Sequence, residues 1–70
     1  MQPINVELVK PKIGETVHVR SAVDENGDAQ YWYAYYSGED FFYRLPDGSD
    51  RKLWFEVEQW VYAGEGFSVY

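Results

Sequence analysis

His18 is the single histidine of a chain that has no cysteine, and Thr16 and Arg20 flank it two residues away on either side. An imidazole can serve as a base, a proton carrier or a metal ligand, but each role needs company. The sequence supplies none: there is no nucleophile elbow, no glycine-rich phosphate loop and no paired-histidine spacing. Asp24-Glu25-Asn26-Gly27-Asp28 concentrates carboxylates as a calcium loop does. Its glycine comes two positions too early, however, and the closing bidentate glutamate is missing. A solvated turn is the better account of it. Neither a catalytic nor a metal-binding residue is assigned, no cofactor is expected, and the chain is read as a non-enzyme.

The remaining chemistry is that of rings and charge. Aromatic residues make up 20% of the 70 residues, and five of them crowd into Tyr31-Trp32-Tyr33-Ala34-Tyr35-Tyr36. Tyr and Trp carry large apolar area with a polar tip, so they serve both cores and wet binding surfaces. The net charge of −6 comes entirely from one stretch: seven acids from Asp24 to Asp50 face Arg44 alone. Such a field disfavours duplex DNA and anionic membrane and favours a basic protein partner.

These side chains need strands to hold them. Ile4, Val6 and Leu8 alternate with polar residues, as do Val17, Val19 and Val23 within Thr16 to Val23, the period-two pattern of a half-buried strand. Asn26-Gly27 predicts a two-residue type I′ hairpin. The aromatic strand follows over Gln30 to Tyr36. Ser37 to Asp40 turns the chain into Phe41 to Leu45, and Pro46 to Asp50 turns it again. From 51 onward two patterns fit. Leu53, Phe55 and Val57 alternate as in a strand, while Leu53, Trp54, Val57, Trp60 and Val61 make a helical stripe. β-Branched and aromatic content favours the strand as far as Val57. Phe67 to Tyr70 would be a short closing strand.

Counting back from the three turns pairs Val19 with Ala34, Val17 with Tyr36, Tyr36 with Phe41, Tyr35 with Phe42, Phe42 with Trp54 and Arg44 with Lys52. One face then carries Val17, Val19, Ala34, Tyr36, Phe41, Tyr43, Leu53, Phe55, Trp32 and Leu45, which is a core. The other carries His18, Tyr35, Phe42 and Trp54 beside Arg20, Tyr33, Arg44 and Lys52. Like charges at Glu25–Asp28 and Arg44–Lys52 count against these registers.

The expected architecture is one mainly β domain over 1–70, a small bent antiparallel meander or SH3-like barrel of five or six strands. The alternative is α+β, with one helix near 50–62 packed on the sheet. Ile13-Gly14-Glu15-Thr16-Val17 and Trp32-Tyr33-Ala34 resemble the opening strands of SH3-like and Tudor-like barrels, across about a third of the chain. That resemblance implies a peptide-binding module with an aromatic cage for a methylated cation. Cold-shock domains share the length and acidic balance, but their Lys-Gly-x-Phe-Gly-Phe and Val-Phe-Val-His-Phe motifs are absent.

The expected function is non-catalytic protein binding. Asp24, Glu25, Asp28, Asp47 and Asp50 would converge at one pole of the meander to dock on a basic or nucleic-acid-binding partner, with Lys10 and Lys12 near Glu39 and Asp40 at the other. Compact acidic proteins of this type include phage-encoded inhibitors that mimic nucleic acid. The second expectation is a ligand face of Tyr33, Tyr35, Phe42 and Trp54 with Arg20 and Arg44, for single-stranded nucleic acid, a sugar or a dimer partner. No apolar run is long enough to span a membrane, and the absence of cysteine suits the cytoplasm.

Overall fold

The computed structural model describes residues 3–64, which form six strands and no helix. The strands are β1 (Ile4–Asn5), β2 (Thr16–Arg20), β3 (Tyr31–Tyr36), β4 (Phe41–Arg44), β5 (Asp50–Lys52) and β6 (Gln59–Tyr62). They make one open antiparallel sheet in the order β1-β6-β2-β3-β4-β5. β2 to β5 run as a meander, and β6 then returns to pair with β2 on the side away from β3. The expectation of a bent mainly β domain holds. The helical alternative near 50–62 does not: that stretch is β5, a bend at Trp54-Phe55 and β6. The strand expected as far as Val57 is also cut short: β5 ends at Lys52, because residues 53–58 carry the chain from β5 at one edge of the sheet to β6 beside β2. The expected strand over Phe67 to Tyr70 lies outside the described residues.

Of the three hairpin registers, one is as expected and two are displaced by two residues. β3 meets β4 at Tyr35–Phe42 and Tyr36–Phe41, the pairing set by the Ser37–Asp40 turn. Between β2 and β3, Val17 faces Ala34 and Val19 faces Trp32, not Tyr36 and Ala34. The predicted type I′ turn does not form, since no described residue other than glycine has positive φ. Instead the Gly27 amide donates to the Asp24 carbonyl, Asp24 pairs with Asp28, and Gly27 alone takes φ of 85°. The Asp24 carboxylate holds this turn by accepting from the Asn26 and Asp28 amides. Between β4 and β5, Gly48 with φ of 90° closes a turn on Leu45, so the loop shortens to Pro46–Gly48. Arg44 therefore faces Asp50 rather than Lys52, and a like-charge pair gives way to an ion pair at 3.0 Å.

Each slip is by two, and side chains alternate with a period of two, so every strand residue keeps its face. The core accordingly comes from the expected face: Val17, Val19, Ala34 and Leu53 are buried, with Phe41, Tyr43 and Phe55 packed against them. Sequence reasoning missed its largest member. Trp60 is 2% exposed and donates its indole N–H to the Val9 carbonyl at 2.9 Å, which ties the 6–12 segment over the sheet. Ile4, Val6 and Val57 join it.

Four inward assignments are corrected. Leu8 is exposed because β1 stops at Asn5, whose side chain and carbonyl accept from the amides of residues 7 to 9 and turn the chain. Val23 is exposed because β2 ends at Arg20. Trp32 sits on the core side but is 48% exposed, at the open end of the sheet. Leu45 is only half-buried, since it begins the turn after β4.

Candidate functional site

Trp54 had been placed with Tyr35 and Phe42 on the outer face. The bend after β5 carries it to the opposite side, where its ring packs on Trp32 (centroids 5.7 Å), Tyr43 (5.5 Å) and Phe55 (5.1 Å). Trp32 and Tyr43 meet at 6.4 Å. The planes of Trp32 and Trp54 cross at 65°, and each meets Tyr43 at close to a right angle. Edge-to-face contacts of this kind lock large rings without burying them. Trp54 remains 56% exposed, so two indoles and a phenol form a rigid, half-wet apolar ledge on the rim of the core.

This ledge borders a gap in the sheet. β3 and β4 share only the two rungs nearest their turn. Beyond Tyr35–Phe42 the ladder ends, and a cleft of about 470 Å³ here is lined by Trp32, Tyr33, Ala34 and Tyr35 of β3, Tyr43 and Arg44 of β4, and Gly14 and Thr16 on the β2 side. The β2–β3 and β4–β5 turns lie beyond the unpaired stretches of β3 and β4, because alternate loops of a meander share an end.

On the outer face the aromatic row is shorter than expected. Tyr35 stacks on Phe42 at 6.1 Å, and Tyr33 stacks on His18 at 4.6 Å with planes 17° apart. Burial pulls the His18 pKa below its ordinary value. Burial, followed by hydrogen bonding to the Asp50 carboxylate, pushes the Tyr35 phenol up. Asp50 is held low chiefly by its bond from Arg44.

Every cation proposed for this face already has an acid or amide beside it. Arg20 binds the Gln59 side chain and lies 3.7 Å from Glu58. Arg44 donates to Asp50, and Lys52 lies 3.7 Å from Asp40.

Three of the five acids expected at one pole have local partners of their own. Asp24 caps its own turn. Asp47 accepts from the Ser49 amide and hydroxyl, which lower its pKa, and Asp50 pairs with Arg44. The Glu25 and Asp28 carboxylates hold no such turn. Among the described residues no three acidic or histidine side chains come close enough to hold a metal ion. At the other end Lys10, Glu39, Asp40 and Glu56 line one groove of about 440 Å³ beside Trp54 and Phe55. Lys10 shares that groove with Glu39 and Asp40, but its ammonium donates to the Val6 carbonyl and Asp40 lies beside Lys52; Lys12 does not line the groove. No described helix is long and apolar enough to cross a membrane.

No family model matches this sequence, and no curated protein or solved structure proved similar to it. The site is therefore read from its own geometry.

Proposed function

We propose that this protein is a non-catalytic recognition module that binds a basic protein segment through the Trp32–Tyr43–Trp54 ledge, with the acidic turns beside it steering the approach. The observation that carries the reading is the half-exposed pair Trp32 and Trp54, fixed edge-to-face on Tyr43. A small domain that leaves two indoles wet while sealing a third has a surface suited to a partner. A field of −6 concentrated between residues 24 and 50 accelerates encounter with a cationic surface and repels anionic ones. Occupying a partner's nucleic-acid-binding groove, as an inhibitor or mimic does, is the form of this activity the charge favours. Single-stranded nucleic acid is the weaker candidate, because Arg20, Arg44 and Lys52 are already committed to neighbouring groups.

Affinity capture followed by binding measurements with the recovered, purified partner tests this. Trp32→Ala with Trp54→Ala should weaken binding by about tenfold or more, the loss typical of truncating aromatic anchors. Glu25→Lys with Asp28→Lys should slow association most at low salt and leave dissociation nearly unchanged. Undiminished binding by the double tryptophan variant, folded as judged by circular dichroism, overturns the proposal.

A further inference from the structure

The backbone at the gap between β3 and β4 says how a partner segment would lie there. In an antiparallel ladder, successive residues direct their N–H and C=O groups to alternate sides. The Ser21 amide bonds the Gln30 carbonyl, so Trp32 and Ala34 direct their groups to Val19 and Val17 of β2, and Tyr33 directs its own towards β4. The Leu45 amide bonds the Ser49 carbonyl, so Tyr43 serves β5 and Arg44 directs its groups towards β3. Tyr33 and Arg44 would be the next rung after Tyr35–Phe42, but the ladder has ended there. Two facing sets of strand donors and acceptors thus have no strand partner among the described residues, and the cleft of about 470 Å³ lies between them.

We propose that this cleft is a strand-insertion site: a basic, extended peptide segment of the partner pairs with the Tyr33 edge of β3. This rests on the recognition role above and gives its mode. Exposed sheet edges bind extended peptides through main-chain bonds, while flanking pockets select alternate side chains. Both supports are present here. Trp32 and Tyr43 on one side of the cleft and Tyr35 on the other offer apolar contact to alternate residues. Charge selects the peptide. The unpaired stretches of β3 and β4 run on towards the turns bearing Asp24, Glu25 and Asp28 on the β3 side and Asp47 and Asp50 on the β4 side, and Arg44, the one cation among the residues lining the cleft, is paired with Asp50. A cationic strand passes between two acidic turns, and an acidic one is repelled.

The probe is a synthetic peptide of about eight residues, the length of an ordinary strand, with lysine and valine alternating. Two twins accompany it: one with glutamate for lysine, one N-methylated at alternate amides so that charge and side chains remain but the ladder cannot form. Amide hydrogen exchange by NMR reads the result on the unmutated protein. The lysine peptide should slow exchange at Tyr33 and Arg44 by about tenfold, and neither twin should do so.

Equal binding by the N-methylated twin would show attraction by charge alone and would overturn the proposal. So would protection of both amides in the free protein by a second copy. Perturbed Trp32 and Trp54 indole signals with unchanged Tyr33 and Arg44 exchange would sink strand insertion but leave ledge recognition standing. Silence at both places, with a partner bound elsewhere, would remove both.

Discussion

Where β6 joins β2, the Val17, Val19 and Val61 side chains are sealed and Trp60 is nearly so; where β4 leaves β3, the rings stay half in water and the ladder stops after two rungs. Both regions are rich in large apolar side chains. They differ in what closes over them. At the β2–β6 junction the 6–12 segment folds back and is pinned by the Trp60 indole. At the β4–β5 wing Leu53 is buried and Phe41 and Tyr43 pack on the core, but Trp32 and Trp54 are covered mainly by one another and by Tyr43 and Phe55. Apolar area removed from water stabilises by about 25 cal/mol per Å², so the first region contributes more to holding the fold, and the second leaves apolar area exposed, as the proposed recognition role requires.

The sharpest way to break this contrast is to remove a tryptophan from each region. Trp60→Ala should cost about 3–5 kcal/mol, the usual loss for emptying a buried aromatic site. In so small a domain that should abolish cooperative unfolding near room temperature. Trp54→Ala should cost about 1 kcal/mol, the worth of its edge-to-face contacts, while reducing partner binding. Similar losses in urea unfolding for the two variants would show that the ledge is core after all.

Next come the two turn glycines. Gly27 and Gly48 both have positive φ, and a Cβ at either would meet nothing within 4 Å, so alanine there costs backbone strain alone, about 1–2 kcal/mol. The effect should differ in reach. Gly27→Ala, in the turn feeding the sealed region, should lower the global urea midpoint. Gly48→Ala should mainly speed amide exchange in β4 and β5, because weakly packed wings open locally. Identical exchange patterns for the two variants would mean the sheet opens as one unit.

The smallest expected effect is at His18. Its folded-state pKa is depressed by burial, so between that value and the ordinary 6.5 the unfolded chain binds more protons and stability rises with pH. The urea midpoint should therefore be lower at about pH 5.5 than at about pH 7.5, and His18→Phe should flatten the difference. Asp47 and Asp50, whose carboxyls are lowered, lose their contribution only in stronger acid. A wild-type midpoint that does not change over this range would show that His18 is solvated alike in both states.

Much of this architecture was legible before any coordinates. Alternation of apolar and polar residues located β2, β3 and β4, and its parity gave the faces within them even where two registers slipped by two; it failed after Lys52, where the chain leaves the strand and Trp54 changes sides. Parity is robust because any even slip preserves it. The registers themselves depended on whether each glycine closes a two-, three- or five-residue loop. That is set by side-chain bonds such as those from Asp24 and Asp47 to their own turns, which composition signals only weakly. The like-charge pairings of Glu25 with Asp28 and of Arg44 with Lys52 marked the two registers that slipped, and at the second Asp50 replaces Lys52 opposite Arg44.

Residue types alone determined that this chain has no thiol, no paired histidine and no phosphate loop. They also determined that its charge is gathered in one acidic stretch and that its rings are too many for so small a core. Only tertiary structure decided which rings remain outside. Trp54 and Trp60 are six positions apart, yet a two-residue bend turns one onto a wet rim, and pairing with β2 draws the other under a loop. That choice depends on contacts from residues 9, 19, 32 and 43. Burial is a property of what arrives from elsewhere in the chain, so no local reading of the sequence contains it.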